Sequence, residues 1–464
     1  MARSSPKRLL RTLSPFLAWP SFCGEPPFSL APMVHGLERS QWEHSEALAA
    51  GQQAQLRLLL EWAVNNVAYY RNRRSAGYAD ILARIRRRPD EFDAAWAQLP
   101  VLTKVELRAN GASLYAASLP AGHRPLIWSH TSGSTGIPVK VAKTSLDQTL
   151  WKALTVREHL WRRRDFSKRL GVIRFRDPTE RMPGGQDFPT WGSPVAELFT
   201  TGRASVAHVG HPIGELAAWL KRVDPHYLLT SPSVAASLLD EFGEGPPRAL
   251  EEVRLMDEPV DADLERRLLA QWKVQCCQLY SASEVGYIAF CCAEHSKLHV
   301  QTESIRVEIL DAAGQPCAIG ATGRVVVTPL HNLATPLIRY EIGDFATVGG
   351  PCGCGRAHPV IERVCGRVRN LARTPDGRRF WPVDLDEIEI IAPVRQAQYV
   401  QTALDHIDLR VALDRPLTPA EAAQAVALVR EVLGYPFAVD IVVVDRIERG
   451  PTGKFEQFLT LLPE

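Results

Sequence analysis

The chain has 464 residues, of which 45% are hydrophobic and 23% charged, and a formal net charge of +2. That length exceeds one ordinary core and predicts two or three domains of a globular protein. The near-neutral balance gives no argument for a nucleic-acid or strongly acidic partner.

Arg3, Lys7, Arg8 and Arg11 form a basic lead whose apolar stretch is broken by Pro15 and Pro20. It is too short and interrupted for a membrane span, and no clear small-residue cleavage site follows it. A cytoplasmic protein without a transmembrane segment is expected. Seven of the nine cysteines fall at 276/277, 291/292, 352/354 and 365. Such clustering reads as thiols in a reducing compartment, some of them holding a metal, rather than as a disulfide scaffold.

Helical periodicity runs over 38–98, with Leu56, Leu59, Leu60, Trp62 and Ala63, then Ile81, Leu82 and Ile85. Thr103 and Glu106 read as a capping box opening a short helix. From about residue 125, short apolar strands alternate with helices: Leu170–Ile173, helix 213–223, Tyr227–Leu229, helix 233–242. The alternation predicts α/β layers with a largely parallel sheet. Runs 304–310 and 323–329 flank the turn Asp311–Gly314 and predict a hairpin or small barrel. After Gly366 the pattern restarts with a strand at 368–372, a turn at Pro375-Asp376-Gly377 and a helix at 384–391. A strand at 407–413, a helix at 418–433 and a strand at 438–444 complete an α+β unit. The expected division is an N-terminal helical segment (1–95), a large-domain core (96–365) and a small C-terminal domain (366–464).

Thr131-Ser132-Gly133-Ser134-Thr135-Gly136-Ile137-Pro138-Val139-Lys140 is the most telling segment. Gly133 and Gly136 allow a sharp turn and close approach of a ligand. The hydroxyls of Ser132, Ser134 and Thr135, with the loop N–H groups, suit phosphate oxygens, and Lys140 adds positive charge. No Walker A sequence occurs in the chain. Alone, the segment reads equally well as a Ser/Gly surface turn. Four further segments follow in order: Tyr280-Ser281-Ala282-Ser283-Glu284-Val285-Gly286; Arg339-Tyr340-Glu341-Ile342-Gly343-Asp344; Cys365-Gly366-Arg367; and Gly450-Pro451-Thr452-Gly453-Lys454. Singly, a Glu in a Ser-rich turn is a solvated cap and Gly-Asp an ordinary turn.

In order and spacing, these five segments resemble the core motifs of the adenylate-forming superfamily, over about residues 95–460. The closer resemblance is to the phenylacetate–CoA ligase branch, with its capsular-polysaccharide-associated and deazaflavin-coenzyme-adenylylating relatives. Leu102-Thr103-Lys104 and Pro336-Leu337-Ile338-Arg339-Tyr340 add to it. The resemblance implies a large multi-sheet α/β domain with a small mobile α+β domain. It also implies an enzyme that activates a carboxylic acid with ATP and Mg²⁺ as an acyl-adenylate. By resemblance, Thr131, Ser132, Gly133, Ser134, Thr135, Gly136 and Lys140 hold the β- and γ-phosphates, and Glu284 binds Mg²⁺. Asp344 accepts from the ribose hydroxyls, with Arg367 in the same region. Tyr280 borders the adenine, Ser281 and Ser283 complete the nucleotide-binding set, and Lys454 approaches the α-phosphate and the carboxylate. Thr135, Glu284 and Lys454 make up the catalytic set.

The chain departs from this pattern in two places. Arg369 and Asn370 stand where relatives usually carry two acidic residues after the junction Gly-Arg, which bears on the second half-reaction. Met256-Asp257-Glu258-Pro259 replaces a Gly-Gly-Glu-Pro turn near the expected acyl pocket.

Cys352-x-Cys354 in a Gly-rich turn suggests a structural Zn²⁺ site. The preferred set is Cys292, His299, Cys352 and Cys354, with Cys291 and His295 as other candidates; reduced thiols beside an ordinary His are the plain alternative. The leading function is a ligase passing an aromatic or other small acyl group to a thiol, CoA or a phosphopantetheine arm. Formation of an amide, or a catalytically weakened nucleotide-binding scaffold, are the alternatives. A carrier-protein partner and a homodimer are left open. Phe188, Trp191, Tyr227 and Phe290 are candidates for an aryl pocket, although such aromatics more often belong to the core.

Overall fold

The structure is a computed structural model that describes residues 17–20, 28–73, 77–130, 140–174, 182, 184–243, 245–260, 262–367, 370–380, 382, 385, 388, 391, 393–447 and 456–462. The chain divides into two compact units. One comprises the described residues of Met1–Ser167, Thr190–Thr201 and Gln278–Arg363; the other those of Lys168–Pro189, Gly202–Cys277 and Val364–Glu464.

In the first unit, the helical N-terminal stretch resolves into Leu30–Ser40, Ser45–Asn66, Ala68–Asn72 and Tyr78–Arg87. Leu56, Leu59, Leu60 and Ala63 recur at helical spacing and are wholly buried. The long helix stops at Val67, whose extended backbone breaks the spiral. Thr103 and Glu106 form the expected capping box on helix Lys104–Asn110, and Thr144 and Asp147 form another on Ser145–Trp161. The strands of this unit lie in the order Ile305–Leu310, Thr322–Pro329, Tyr340–Val348, Val360–Arg367, Leu298–Val300, Gly286–Cys291, Gln275–Ala282. Five of the six neighbouring pairs have a described register, and all five are antiparallel. The expected hairpin of 304–310 with 323–329 is present. The expectation of a largely parallel sheet fails here, because these strands are joined by turns too short to hold a crossover helix.

The parallel part lies in the second unit. Glu252–Leu255, Tyr227–Thr230, Leu170–Arg174 and Ala204–His208 pair in that order, all parallel, with Gln186–Phe188 antiparallel at the edge. Helices Ile213–Val223 and Pro232–Phe242 cover these strands through Leu216, Trp219, Leu220, Val234, Leu238 and Leu239. The same unit holds a four-stranded sheet in the order Ala438–Val444, His406–Leu413, Val394–Ala403, Phe458–Thr460. Helix Pro419–Leu433 packs on it through Ala425, Val429 and Leu433. Strand Val394–Ala403 has no counterpart in the sequence reading, because its Arg, Gln and Ala residues dilute the apolar alternation. Of the expected strand at 368–372, residues 368 and 369 lie outside the described residues and Ala372 falls in the strand Ala372–Arg373; the expected helix at 384–391 falls largely outside the described residues.

One ion pair lies at the centre of the first unit. Arg157 meets Glu303 in a fork, Nη2–Oε1 at 2.7 Å and Nη1–Oε2 at 3.0 Å, with both side chains fully buried. Ser40 donates to the same carboxylate, and Arg157 donates to Leu37 O, so the last turn of helix Leu30–Ser40 is tied to this pair. Burial pushes the Glu303 carboxyl up, but Arg157 and neighbouring donors win and hold it at about 2.

Two buried histidines make stability depend on pH. Burial pushes His331 and His358 down from 6.5 to about 4. Below pH 6.5 the unfolded chain takes up protons that the native rings refuse until about pH 4. Their stabilisation is therefore complete above 6.5 and lost as pH falls through that window, at about 1.4 kcal/mol per pH unit for each histidine. Urea unfolding at pH 7.5 and 5.0 checks this; equal midpoints would contradict it.

Candidate functional site

The strand carrying Tyr340 and Asp344 is fixed from the N-terminal helices. Trp62 Nε1 donates to Leu333 O, and Gln55 Nε2 to Leu330 O. Tyr70 Oη donates to Pro336 O at 2.6 Å and accepts from Ile338 N–H. Arg339 takes a left-handed backbone (φ 49) and turns its guanidinium onto Ala97 O, Leu99 O and Glu308. Leu102 N–H donates to Arg339 O, and Glu341 N–H to Leu102 O, which lays the Leu-Thr-Lys segment alongside Tyr340.

Two local irregularities then aim the side chains. Arg324 faces Phe345 and Val326 faces Glu341, so Ile342, Gly343 and Asp344 stand opposite Val325 alone. This bulge, with Gly343 at φ 86, turns Asp344 out of the ladder. A matching shift between Tyr280 and Ser281 precedes the tight turn Ala282–Gly286, where Gly286 has φ 84. That turn presents the nearly buried Glu284.

Tyr280 Oη donates to Asp344 Oδ2 at 3.0 Å. Three strands separate theirs in the sheet order, a span of about 19 Å in a flat sheet. The antiparallel sheet therefore curls strongly, and its curl brings the two motifs together. Glu284 Oε1 accepts from Tyr340 Oη at 3.3 Å and lies 3.5 Å from Lys104 Nζ. Lys143 Nζ donates to Ser283 O at 2.7 Å. Burial pushes Lys143 below the usual lysine range, against the upward pull of Asp147 and Glu284. Ser281 is half-buried and Ser283 exposed, beside these groups.

Thr131, Ser132, Gly133, Ser134, Thr135 and Gly136 lie outside the described residues, as does Lys454; Arg367 ends its strand. The hairpin Ile127–His130 with Lys140–Lys143 flanks the first of these segments. Lys140 is exposed on this hairpin. Asn370, at the expected pivot, donates to Phe458 O at 2.6 Å. Sequence reasoning missed Lys143 and the roles of Tyr340 and Lys104. The scarcity of lysine, ten in the chain, was the signal available for both lysines.

Cys292, His299, Cys352 and Cys354 converge, with all four ligand atoms within 4.8 Å of one another. Cys352 Sγ is 3.8 Å from Cys292 Sγ, and Cys354 Sγ is 3.5 Å from His299 Nε2. A tetrahedron with Zn–S of about 2.3 Å and Zn–N of about 2.05 Å has edges of about 3.8 Å and 3.5 Å, so the residues fit the ion. Burial, with His358 and Arg356, pushes His299 down to about 4, which leaves a neutral ring able to donate a lone pair. Burial pushes the Cys352 thiol up to about 12. Cys354 is drawn below its ordinary range, because the Arg356 N–H and guanidinium outweigh its burial. Arg356 is clamped between Trp161 (4.4 Å) and Trp42 (4.6 Å).

Trp191 packs on His159 and Phe166, while Phe290 packs on Trp161 and Tyr287. Phe188 and Tyr227 belong to the other unit.

No family model matches the chain. It is 28% identical over 207 residues to phenylacetate–coenzyme A ligase of Thermus thermophilus, covering 41% of this chain and 46% of that protein. The match thus spans less than half of that relative. The fold matches 2-hydroxyisobutyryl-CoA ligase in complex with 2-HIB-AMP at TM-score 0.68 and 18% identity, over 88% of this chain and 89% of that one. An anthranilate CoA ligase in complex with anthranoyl-AMP matches at TM-score 0.53 and 16% identity, over 73% and 67% of the two chains. The fold is the one shared by these acyl-CoA ligases solved with acyl-adenylates. The sequence likeness is to a phenylacetate–coenzyme A ligase. Among the described residues, no helix is long and apolar enough to cross a membrane.

Proposed function

We propose that the protein activates a small carboxylic acid with ATP, releasing pyrophosphate to form an acyl-adenylate, and transfers the acyl group to the thiol of CoA. The observation that carries this reading is the convergence of two separate motifs, in which Tyr280 meets Asp344 while Glu284 meets Tyr340 and Lys104, with Lys143 on the neighbouring Ser283 carbonyl. The neighbours in complex with 2-HIB-AMP and anthranoyl-AMP support the adenylate, and a further 2-hydroxyisobutyryl-CoA ligase structure, in complex with 2-HIB-AMP and CoA, supports the acceptor. The acid is proposed to be small or aromatic.

Each residue has a task that its chemistry suits. Asp344, already a hydrogen-bond acceptor for Tyr280, would accept from both ribose hydroxyls and so orient the nucleotide. Tyr280 would border the base, with Ser281 and Ser283 beside it. Glu284, a buried carboxylate, would hold Mg²⁺, which offsets phosphate charge when bound. Residues 131–136 with Lys140 would cradle the phosphates, and Arg367 would reach the ribose–phosphate region. Lys454 would bring a positive charge to the α-phosphate and the attacking carboxylate. Two like-charged reactants must meet, so positioning and charge compensation account for most of the rate gain. Cys292, His299, Cys352 and Cys354 are proposed to hold a structural Zn²⁺ that ties the turn at 352–355 to the strands behind it.

ATP–pyrophosphate exchange over a panel of aryl and alkyl acids, with thioester detection after adding CoA, tests the reading. Acid-dependent exchange followed by a CoA thioester is the expected result. Exchange indifferent to every acid would favour a nucleotide-binding scaffold instead. Asp344→Ala should weaken ATP binding about 10- to 100-fold, the loss of charge-assisted hydrogen bonds. Lys454→Ala should depress adenylation by orders of magnitude while sparing transfer from a supplied acyl-adenylate; equal loss in both steps would refute its role.

Metal analysis after dialysis should find about one equivalent of zinc, and Cys352→Ser should lower both the zinc content and the unfolding temperature. Less than about a tenth of an equivalent in the native protein would end the zinc assignment.

A further inference from the structure

Glu284 is held by more cations than an isolated acidic turn residue needs. Lys104 reaches it from the first turn of helix Lys104–Asn110, with Nζ 3.5 Å from Oε1. Lys143 reaches the same turn from the end of strand Lys140–Lys143, with Nζ on Ser283 O at 2.7 Å. The two lysines come from segments on either side of residues 131–139, and both are shielded from water in part. Lys140, three positions before Lys143 in the strand, is exposed and makes no described contact with this turn. With Asp147 also acting on Lys143, two carboxylates and two ammonium groups share the site. Their charges cancel before any ligand arrives.

That balance cannot persist in the proposed reaction, on which this inference rests. Glu284, once committed to a divalent ion, no longer needs its ammonium partners. The metal–ATP complex still carries net negative charge, and the incoming carboxylate adds more. Uncompensated, this charge would oppose both binding and the departure of pyrophosphate.

We propose that Lys104 and Lys143 are a partner-exchanging pair: they neutralise Glu284 while the site is empty, and turn to the β- and γ-phosphate oxygens of ATP, and then of departing pyrophosphate, when Glu284 takes up the ion. The pair thus keeps a buried carboxylate compensated in one state and the phosphates compensated in the other. Lysine suits the task, since its ammonium is a compact charge on a flexible stem that can change partner without re-registering a fork. Lys143 is then a further phosphate-contacting cation of the hairpin, in addition to Lys140.

Calorimetric titration of the full chain with AMP and with magnesium pyrophosphate tests the pair without requiring turnover. Lys143→Met should weaken magnesium pyrophosphate binding by about tenfold or more, equivalent to about 1.4 kcal/mol, and leave AMP affinity within about twofold. Lys104→Met should do the same, and Lys143→Arg should recover most of the loss. Unchanged pyrophosphate affinity in both Met variants, with native AMP binding, overturns the pair and leaves the proposed function standing. Parallel loss of AMP and pyrophosphate affinity also overturns it, since the lysines would then only support the fold. Failure of the wild-type chain to bind AMP or magnesium ATP overturns the proposed function and the pair together.

Discussion

The site depends on the immobilisation of one segment, Leu330–Asp344, by side chains from distant helices. Gln55, Trp62 and Tyr70 donate to its carbonyls, and Arg339 closes the circuit by returning to Ala97, Leu99 and Glu308. Every one of these links is a hydrogen bond in a water-poor interior, where an unmet backbone group is far more costly than on the surface. The segment therefore has one acceptable path. Tyr340 and Asp344 inherit that path, and the helical N-terminal stretch acts as the brace of the candidate site.

Beside this brace, the Arg157–Glu303 fork and the Cys/His cluster fix a neighbouring part of the same unit. Glu303 accepts from Ser40 and Arg157, its main-chain carbonyl contacts His331, and His358 lies 3.8 Å from its carboxylate. His358 in turn packs against His299 of the thiol cluster. Buried charge of this kind is tolerated because the Glu303 carboxylate meets the Arg157 fork and the Ser40 hydroxyl. Such a network favours one arrangement over many nearby ones.

Much of the candidate site was legible as residue types in order. Gly343 before Asp344 and Gly286 after Glu284 are positions where the backbone needs a left-handed turn, and glycine marks both in the sequence. Cys352-x-Cys354 advertised a ligand pair, and Cys292 and His299 were nameable as its partners. Other features were hidden. Lys143 reads as a strand end followed by a helix cap, and nothing in one dimension says that its side chain meets the turn at Ser283. Tyr340 reads as a buried aromatic until its hydroxyl is seen on Glu284.

Local pattern alone marked the N-terminal helices, the Thr103 capping box, the helices at 213–223, 233–242 and 418–433, the strands at 170–173 and 227–229 and the hairpin at 305–329, because periodicity and turn chemistry act over a few residues. Outside that hairpin it misjudged the strands from 275 to 367, whose antiparallel order follows from which edges pair and not from any local signal. Only the tertiary structure decided that Tyr280 touches Asp344, that Lys104 meets Glu284 while Lys143 meets the adjacent Ser283 carbonyl, and that four ligand atoms gather from three stretches of chain. Those outcomes depend on how far a sheet curls. Sheet curvature is set by the summed packing of many side chains, and no short stretch of sequence contains it.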